Sequence, residues 1–242
     1  MPRFFKENFK ENPFLEGEDA SHICRSLRMR TGEELTVCDL KGNDYLCVIR
    51  SADNQRVELE ILEELENITE PDIEVTLCTS LLKGDKFEQV IKHSVELGAS
   101  FILPVVSENC VSRPDQKSLK AKTLRWQKIA NEAAGQSSRG KLPQVKEAVT
   151  LKALSEQLSS YDLVLFCYEG GGSPLGETFW ENDKAKKIAI ITGPEGGFSK
   201  AEAEMLKRCG AKVITLGKRI LRAETAPLAA LTAVMLLTDN LE

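Results

Sequence analysis

Two different periodicities run along the chain. In the first part, residues 1–72, apolar and polar positions alternate with a period of about two in Glu34–Asp39 (ELTVCD), Asp44–Arg50 (DYLCVIR) and Arg56–Leu62 (RVELEIL). Such alternation predicts strands with one buried face. Turn-forming residues separate them at Thr31-Gly32, Lys41-Gly42-Asn43 and Asp53-Asn54. Strands at this spacing predict a small barrel. Ahead of them, Glu18–Met29 places Ile23 and Leu27 on one face and predicts a short helix. The acidic stretch Glu63–Asp72, which contains Pro71, reads as a linker.

The second part, residues 73–242, alternates strand and helix, the pattern of an α/β domain. Asp162–Cys167 (DLVLFC), Lys187–Thr192 (KIAIIT) and Lys212–Leu216 (KVITL) are short, nearly unbroken apolar runs. Runs of that kind predict strands of a parallel sheet buried on both faces. Ile73–Thr79 and Phe101–Val106 read as further strands. Asp85–Leu97 predicts a helix with Phe87, Val90, Ile91 and Val95 on one face and Gly98 past its end. A second helix is expected over Lys117–Ala134. Ser199-Lys-Ala-Glu202 is a capping box that opens a third. The last helix, about Thr225–Thr238, tolerates Pro227 in its first turn. It is apolar almost all round, so it is expected to be buried, in part against another subunit.

Charge sharpens this division. The chain has 242 residues and a net charge of −5, which alone argues against a general nucleic-acid coat protein. The charge is uneven: residues 1–72 hold 9 basic and 17 acidic side chains, while residues 113–146 hold 9 basic and 2 acidic. A local basic stretch therefore sits inside an acidic total. The seven cysteines form no CxxC pair and there are two histidines, so no metal site and no disulfide framework are expected. The charged N-terminus and the lack of a long apolar run argue against export and against a membrane span. A cytoplasmic location is expected.

Ligands of open α/β sheets bind beyond the carboxyl ends of the strands. Three unusual loops fall there: Tyr168-Glu-Gly-Gly-Gly-Ser-Pro174, Gly193-Pro-Glu-Gly-Gly-Phe-Ser199 and Gly217-Lys-Arg-Ile-Leu-Arg-Ala-Glu-Thr225. None is a GxxxxGK[ST] phosphate loop, and the glycine spacing does not fit GxGxxG. No Ser-His-Asp order stands out. Glycine lets a backbone approach a ligand closely. In the third loop Arg219, Arg222 and Glu224 surround apolar Ile220 and Leu221, a mixture suited to a base flanked by a polar substrate.

GPEGGFS at Gly193–Ser199 followed by LGKRILRAETAPLAAL at Leu216–Leu231 resembles the SPOUT methyltransferases, and within them the RsmE family of 16S rRNA uridine-N3 methyltransferases. MPRFF at the start, HICRSLRMRTGEEL at His22–Leu35, the Leu81–Glu108 stretch and RWQKIANEAAGQSSRGKLPQV at Arg125–Val145 resemble the same family, so the likeness covers nearly the whole chain. One departure is Gly135, where an acidic residue is expected. The resemblance implies a small N-terminal PUA-like RNA-binding β-barrel over residues 1–72. It implies a C-terminal SPOUT methyltransferase domain over 73–242, with a parallel sheet and a deep trefoil knot. It also implies S-adenosylmethionine as cofactor, 16S rRNA of the small ribosomal subunit as substrate, and a homodimer.

The residues fit that chemistry. Gly193, Gly196, Gly197 and Gly217 would admit the donor's adenine and ribose, with Leu216, Ile220 and Leu221 packed on the adenine. Uridine N3 carries a proton and is a poor nucleophile until that proton leaves. Arg222 is the expected cation, positioning the uracil or its phosphate; Glu195 or Glu224 is the base or an orienting acceptor. The competing reading is a structural ion pair between Arg222 and Glu224. For RNA, the candidates are Arg25, Arg28 and Arg30 in the first part and Arg113, Arg125 and Arg139 in the basic stretch. A SPOUT enzyme acting on another RNA or base, and a binding factor without catalysis, remain alternatives at this stage.

Overall fold

A computed structural model describes residues 1–241, which form two compact units. The first comprises Met1–Glu70 and Ala134–Leu142, the second Pro71–Ala133 and the remainder from Pro143. The segment 134–142 thus belongs with the first unit, whereas a single cut at residue 72 assigns it to the second. Its anchor is Glu70, whose Oε1 accepts from Arg139 Nε (2.7 Å), Gly140 N (2.8 Å) and Lys141 N (3.1 Å).

In the first unit, β1 (Arg3–Phe5), β2 (Phe14–Glu16), β3 (Glu34–Cys38), β4 (Asn43–Ala52) and β5 (Arg56–Glu66) form one sheet in the order β1-β3-β4-β5-β2. β1 runs parallel to β3; the other pairs are antiparallel. Two register shifts between β4 and β5, at Leu46/Cys47 and Ile49/Ser51, bend the long hairpin. The curled sheet encloses a core that includes Phe9, Leu15, Ile23, Leu35 and Ile49. Glu63–Glu66, expected in a linker, are instead the end of β5 and pair with Leu46, Tyr45, Asp44 and Asn43. Their charges do not oppose strand formation, because the backbone makes the ladder and the side chains stay at the surface. The helix expected over Glu18–Met29 is shorter: α1 (Glu18–Ser21) passes into a π-helical turn, His22–Ser26. Leu27 N donates to His22 O, and Arg28 at φ +55° ends the turn.

The second unit contains β6 (Glu74–Ser80), α2 (Lys86–Glu96), β7 (Phe101–Val106), α3 (Gln116–Gln136, its end falling in the first unit), β8 (Gln144–Val145), β9 (Val149–Thr150), α4 (Leu151–Ser155) and β10 (Leu163–Cys167). It continues with β11 (Ser173–Pro174), α5 (Leu175–Trp180), β12 (Lys187–Thr192), α6 (Lys200–Arg208), β13 (Lys212–Thr215) and α7 (Thr225–Leu237). The sheet order is β11-β13-β10-β12-β6-β7-β8, with β9 also on β7, and the pairs are parallel. Ile188–Thr192 is buried throughout, as the unbroken apolar run predicts. On one face Phe166, Ile191, Leu154, Phe198 and Leu206 form a core with α4 and α6. The capping box is present: Glu202 N donates to Ser199 Oγ and Ser199 N to Glu202 Oε2. α7 buries Pro227, Ala230, Leu231, Val234 and Met235, but Leu236 is 52 % exposed. Within one chain, then, only one face of this apolar helix is covered.

Candidate active site

β13, β10 and β12 are neighbours and parallel, so the loops that follow them emerge side by side from one edge of the sheet. Between these loops lies a cleft of about 710 Å³. Its walls include Glu169 from the first loop, Gly193, Glu195, Gly196 and Gly197 from the second, and Leu216, Gly217, Ile220, Leu221, Arg222 and Glu224 from the third. The residues expected to hold the donor or do chemistry are therefore brought together, although they come from separate strand ends. Leu216 and Leu221 are half-buried, whereas Ile220 is 90 % exposed and projects from the rim of the single chain.

Glycine is favoured at two points of the second loop for reasons internal to the chain. Gly197 has φ +65°, and a Cβ there would lie 2.4 Å from Glu169 Oε1. A Cβ on Gly196 would lie 3.0 Å from the Asn109 side chain. At Gly197 the left-handed backbone favours glycine, and a side chain at either position would displace Glu169 or Asn109.

The cleft's charges are arranged unequally. Glu224, the residue preceding α7, accepts from Lys86 Nζ of α2 at 3.2 Å. Its carboxyl lies below the ordinary carboxylate range, chiefly through a backbone amide hydrogen bond, with Lys86 and Arg222 adding to the effect against some desolvation. Glu195 Oε1 accepts from Lys83 N at 3.0 Å. Arg222 donates no side-chain hydrogen bond and forms no ion pair among the described residues; its carbonyl accepts from Thr225 N and Ala226 N at the start of α7. The Arg222–Glu224 pair that would make both residues structural does not form. Cys167 also lines the cleft; burial pushes its thiol up to about 12, so it is neutral. Thr79 and Thr192 hydroxyls share a buried hydrogen bond of 2.5 Å between β6 and β12.

The candidate RNA residues divide into two groups. Arg25, Arg28, Arg30 and Arg125 are exposed. Arg25 Nε touches Asn54 Oδ1 at 3.1 Å, and Arg125 pairs with Glu88 at 2.8 Å on the surface. Arg139 is different: it is 3 % exposed and grips Glu70 with two hydrogen bonds, at 2.7 and 2.9 Å. The expectation of a phosphate contact there is corrected, since a guanidinium buried against a carboxylate is not offered to a ligand. Arg113 is exposed but turned on its own loop, donating from Nε to Cys110 O at 3.1 Å and from its terminal nitrogen to Glu108 O.

Sequence reasoning missed Lys83, Lys86, Asn109 and Glu169. Lys83 and Lys86 flank Gly84-Asp85 at the end of β6, and Asn109 follows β7. The same rule that singled out three loops, position at a strand's carboxyl end, applies to both.

An RNA methyltransferase domain family matches residues 69–235, and an RNA methyltransferase PUA domain family matches residues 15–62. The ribosomal RNA small subunit methyltransferase E of Bacillus subtilis is 34 % identical, over 100 % of this chain and 98 % of its own length. The chain belongs to the small subunit methyltransferase E family. A second member, from Mesomycoplasma hyopneumoniae, is 33 % identical over 96 % of this chain and 98 % of its own length. The methyltransferase E of Neisseria gonorrhoeae, solved bound to S-adenosyl methionine, superposes with a TM-score of 0.86 at 32 % identity over 98 % of both chains. In this family's terms, the second unit carries the methyltransferase domain, and β2–β5 fall almost wholly within the PUA match.

Proposed function

We propose that this chain is an S-adenosylmethionine-dependent methyltransferase that methylates N3 of one uridine in the 16S rRNA of the small ribosomal subunit. The observation that carries the proposal is the single cleft into which three adjacent strand-end loops bring Gly193, Gly196, Gly197, Leu216, Gly217, Ile220 and Leu221. The site fits the donor. A Cβ on Gly217, at φ +105°, would meet nothing within 4 Å, so its backbone faces open space. Bound there, S-adenosylmethionine supplies an electrophilic methyl carbon with a neutral thioether as leaving group.

The chain's own residues then have to hold the acceptor in line and manage one proton. Arg222, whose guanidinium makes no hydrogen bond or close ion pair among the described residues, stabilises the uracil anion that forms as N3 loses its proton. Glu195 takes that proton: one of its oxygens is held by Lys83 N and the other is available. Glu224 is a poorer base, because its carboxyl is held low, and it acts instead to fix Lys86 and the start of α7.

RNA is held by Arg25, Arg28 and Arg30 on the first unit, read as a PUA-like barrel, and by Arg125 on α3. The first unit, Met1–Glu70 with Ala134–Leu142, serves RNA binding and the second serves methyl transfer, the latter with the family's trefoil knot. The functional form is a homodimer, supported by apolar side chains left open on the single chain: Trp180 at 68 %, Ile220 at 90 % and Leu236 at 52 % exposure. No helix among the described residues is long and apolar enough to cross a membrane; the proposed site of action is the cytoplasm. Deleting the gene and mapping modified nucleosides of the small-subunit rRNA by mass spectrometry tests the function. Loss of one 3-methyluridine supports it, and an unchanged map overturns it.

A further inference from the structure

The loop between β7 and α3 is hydrogen-bonded to the Gly193–Ser199 loop and to the start of α6. Asn109 Nδ2 donates to Gly196 O at 3.1 Å and to Gly197 O at 3.2 Å. Glu108 N donates to Glu202 Oε1 at 2.7 Å, and the other oxygen of that carboxylate accepts from Ser199 N. One carboxylate therefore joins the capping box of α6 to the neighbouring loop. The β7–α3 loop is itself braced: Arg113 donates to the carbonyls of Glu108 and Cys110, and Ser107 Oγ meets Ser80 Oγ at 3.1 Å. The two loops are in close contact: a Cβ on Gly196 would lie 3.0 Å from Asn109 Cβ.

From this geometry we infer that Asn109 is a positioning residue for donor binding: its amide turns the Gly196 and Gly197 carbonyls outward and so sets the donor-facing backbone of the Gly193–Ser199 loop. The inference rests on the donor reading proposed above. Two carbonyls on adjacent residues, both bonded to one NH₂ group, cannot rotate independently. Without the amide, the Gly197 N to Pro194 O bond (3.0 Å) remains, but the two carbonyls lose their shared donor and gain the freedom that glycine permits, which must be given up again each time the donor binds.

The isosteric change Asn109→Asp separates positioning from packing. It keeps size and shape but replaces the NH₂ donor by a carboxylate oxygen facing two carbonyls. Donor affinity is measured by calorimetry with S-adenosylmethionine on the full-length parent, Asn109→Ala and Asn109→Asp proteins, alongside thermal unfolding without donor. The expected result is donor binding weakened about tenfold in Asn109→Ala and at least as much in Asn109→Asp, with KM for the donor raised and KM for RNA unchanged. Unfolding midpoints close to the parent's accompany it. Parent-like donor affinity in Asn109→Asp overturns the inference, and so does a loss of donor affinity no larger than the loss of RNA affinity. A parent protein that does not bind the donor overturns the donor reading itself, and the inference falls with it.

Discussion

Glu224 pairs with Lys86, 138 positions away in the chain, and not with Arg222, two positions away. The consequence is chemical. An arginine at the cleft that is not locked in a close ion pair with its chain neighbour has its hydrogen-bond donors available for a ligand. Arg222→Ala is expected to lower kcat for methyl transfer by about 100-fold while calorimetry shows near-parental donor binding. Methylation at the parent rate in this variant would remove Arg222 from the mechanism.

Lys86→Ala tests the other half of that relationship. The pair is partly exposed, with side-chain accessibilities of 36 % and 20 %, so its contribution to stability is below about 1 kcal/mol. On the proposed mechanism, the pair keeps Glu224 from closing onto Arg222. The expected result is a small change in unfolding midpoint but a clear fall in kcat, because the released carboxylate is free to neutralise Arg222. A variant with full kcat and reduced stability would mark the pair as structural only.

At Gly197 two effects are separable. Gly197→Ala places a side chain at φ +65° and drives its Cβ against the Glu169 carboxylate; left-handed backbone alone costs an alanine about 1–2 kcal/mol. Donor binding by the single variant should be abolished. In the double variant Gly197→Ala with Glu169→Ala, the collision is relieved and the backbone cost remains, so binding should recover in part. Isothermal titration of both proteins decides; equal loss in both would mean that the collision with Glu169 is irrelevant.

Acid stability of the first unit should depend on Glu70. Burial pushes its carboxyl up, but hydrogen bonds and charge from Arg139, with the Gly140 and Lys141 amides, bring it net below the ordinary 4.5. A carboxyl lowered in the folded state stabilises above its unfolded value and loses that contribution as pH falls through the folded value. Unfolding followed from neutral pH to below 4.5 should show this loss in the parent. Glu70→Ala removes the carboxylate that Arg139, Gly140 and Lys141 share; it should lower stability at neutral pH and show a shallower decline in acid. A parallel pH profile in the two proteins would contradict the assignment.

Most of the architecture was legible because it rests on local pattern. Phe101–Val106 and Lys187–Thr192 are strands at their expected bounds, and Ser199 and Glu202 form the expected box. The three loops met in one cleft because strand ends on one edge of a parallel sheet must. What escaped depends on contacts remote in sequence. β1 is three residues long and exists through its pairing with Thr36–Cys38. Arg139 sits in a basic stretch, and only folding shows that Glu70, 69 positions earlier, claims it. Asn109 and Lys83 carry no motif; their importance lies in which carbonyl or carboxylate they meet.

The central claim is tested most directly by incubating the purified protein with small ribosomal subunits or 16S rRNA that lack the modification, together with isotope-labelled S-adenosylmethionine. The rRNA is then digested to nucleosides for mass spectrometry. The account predicts label in 3-methyluridine at a single position, absent when Arg222→Ala replaces the parent. Label in any other nucleoside, or no label while a known methyltransferase E modifies the same substrate, would contradict it.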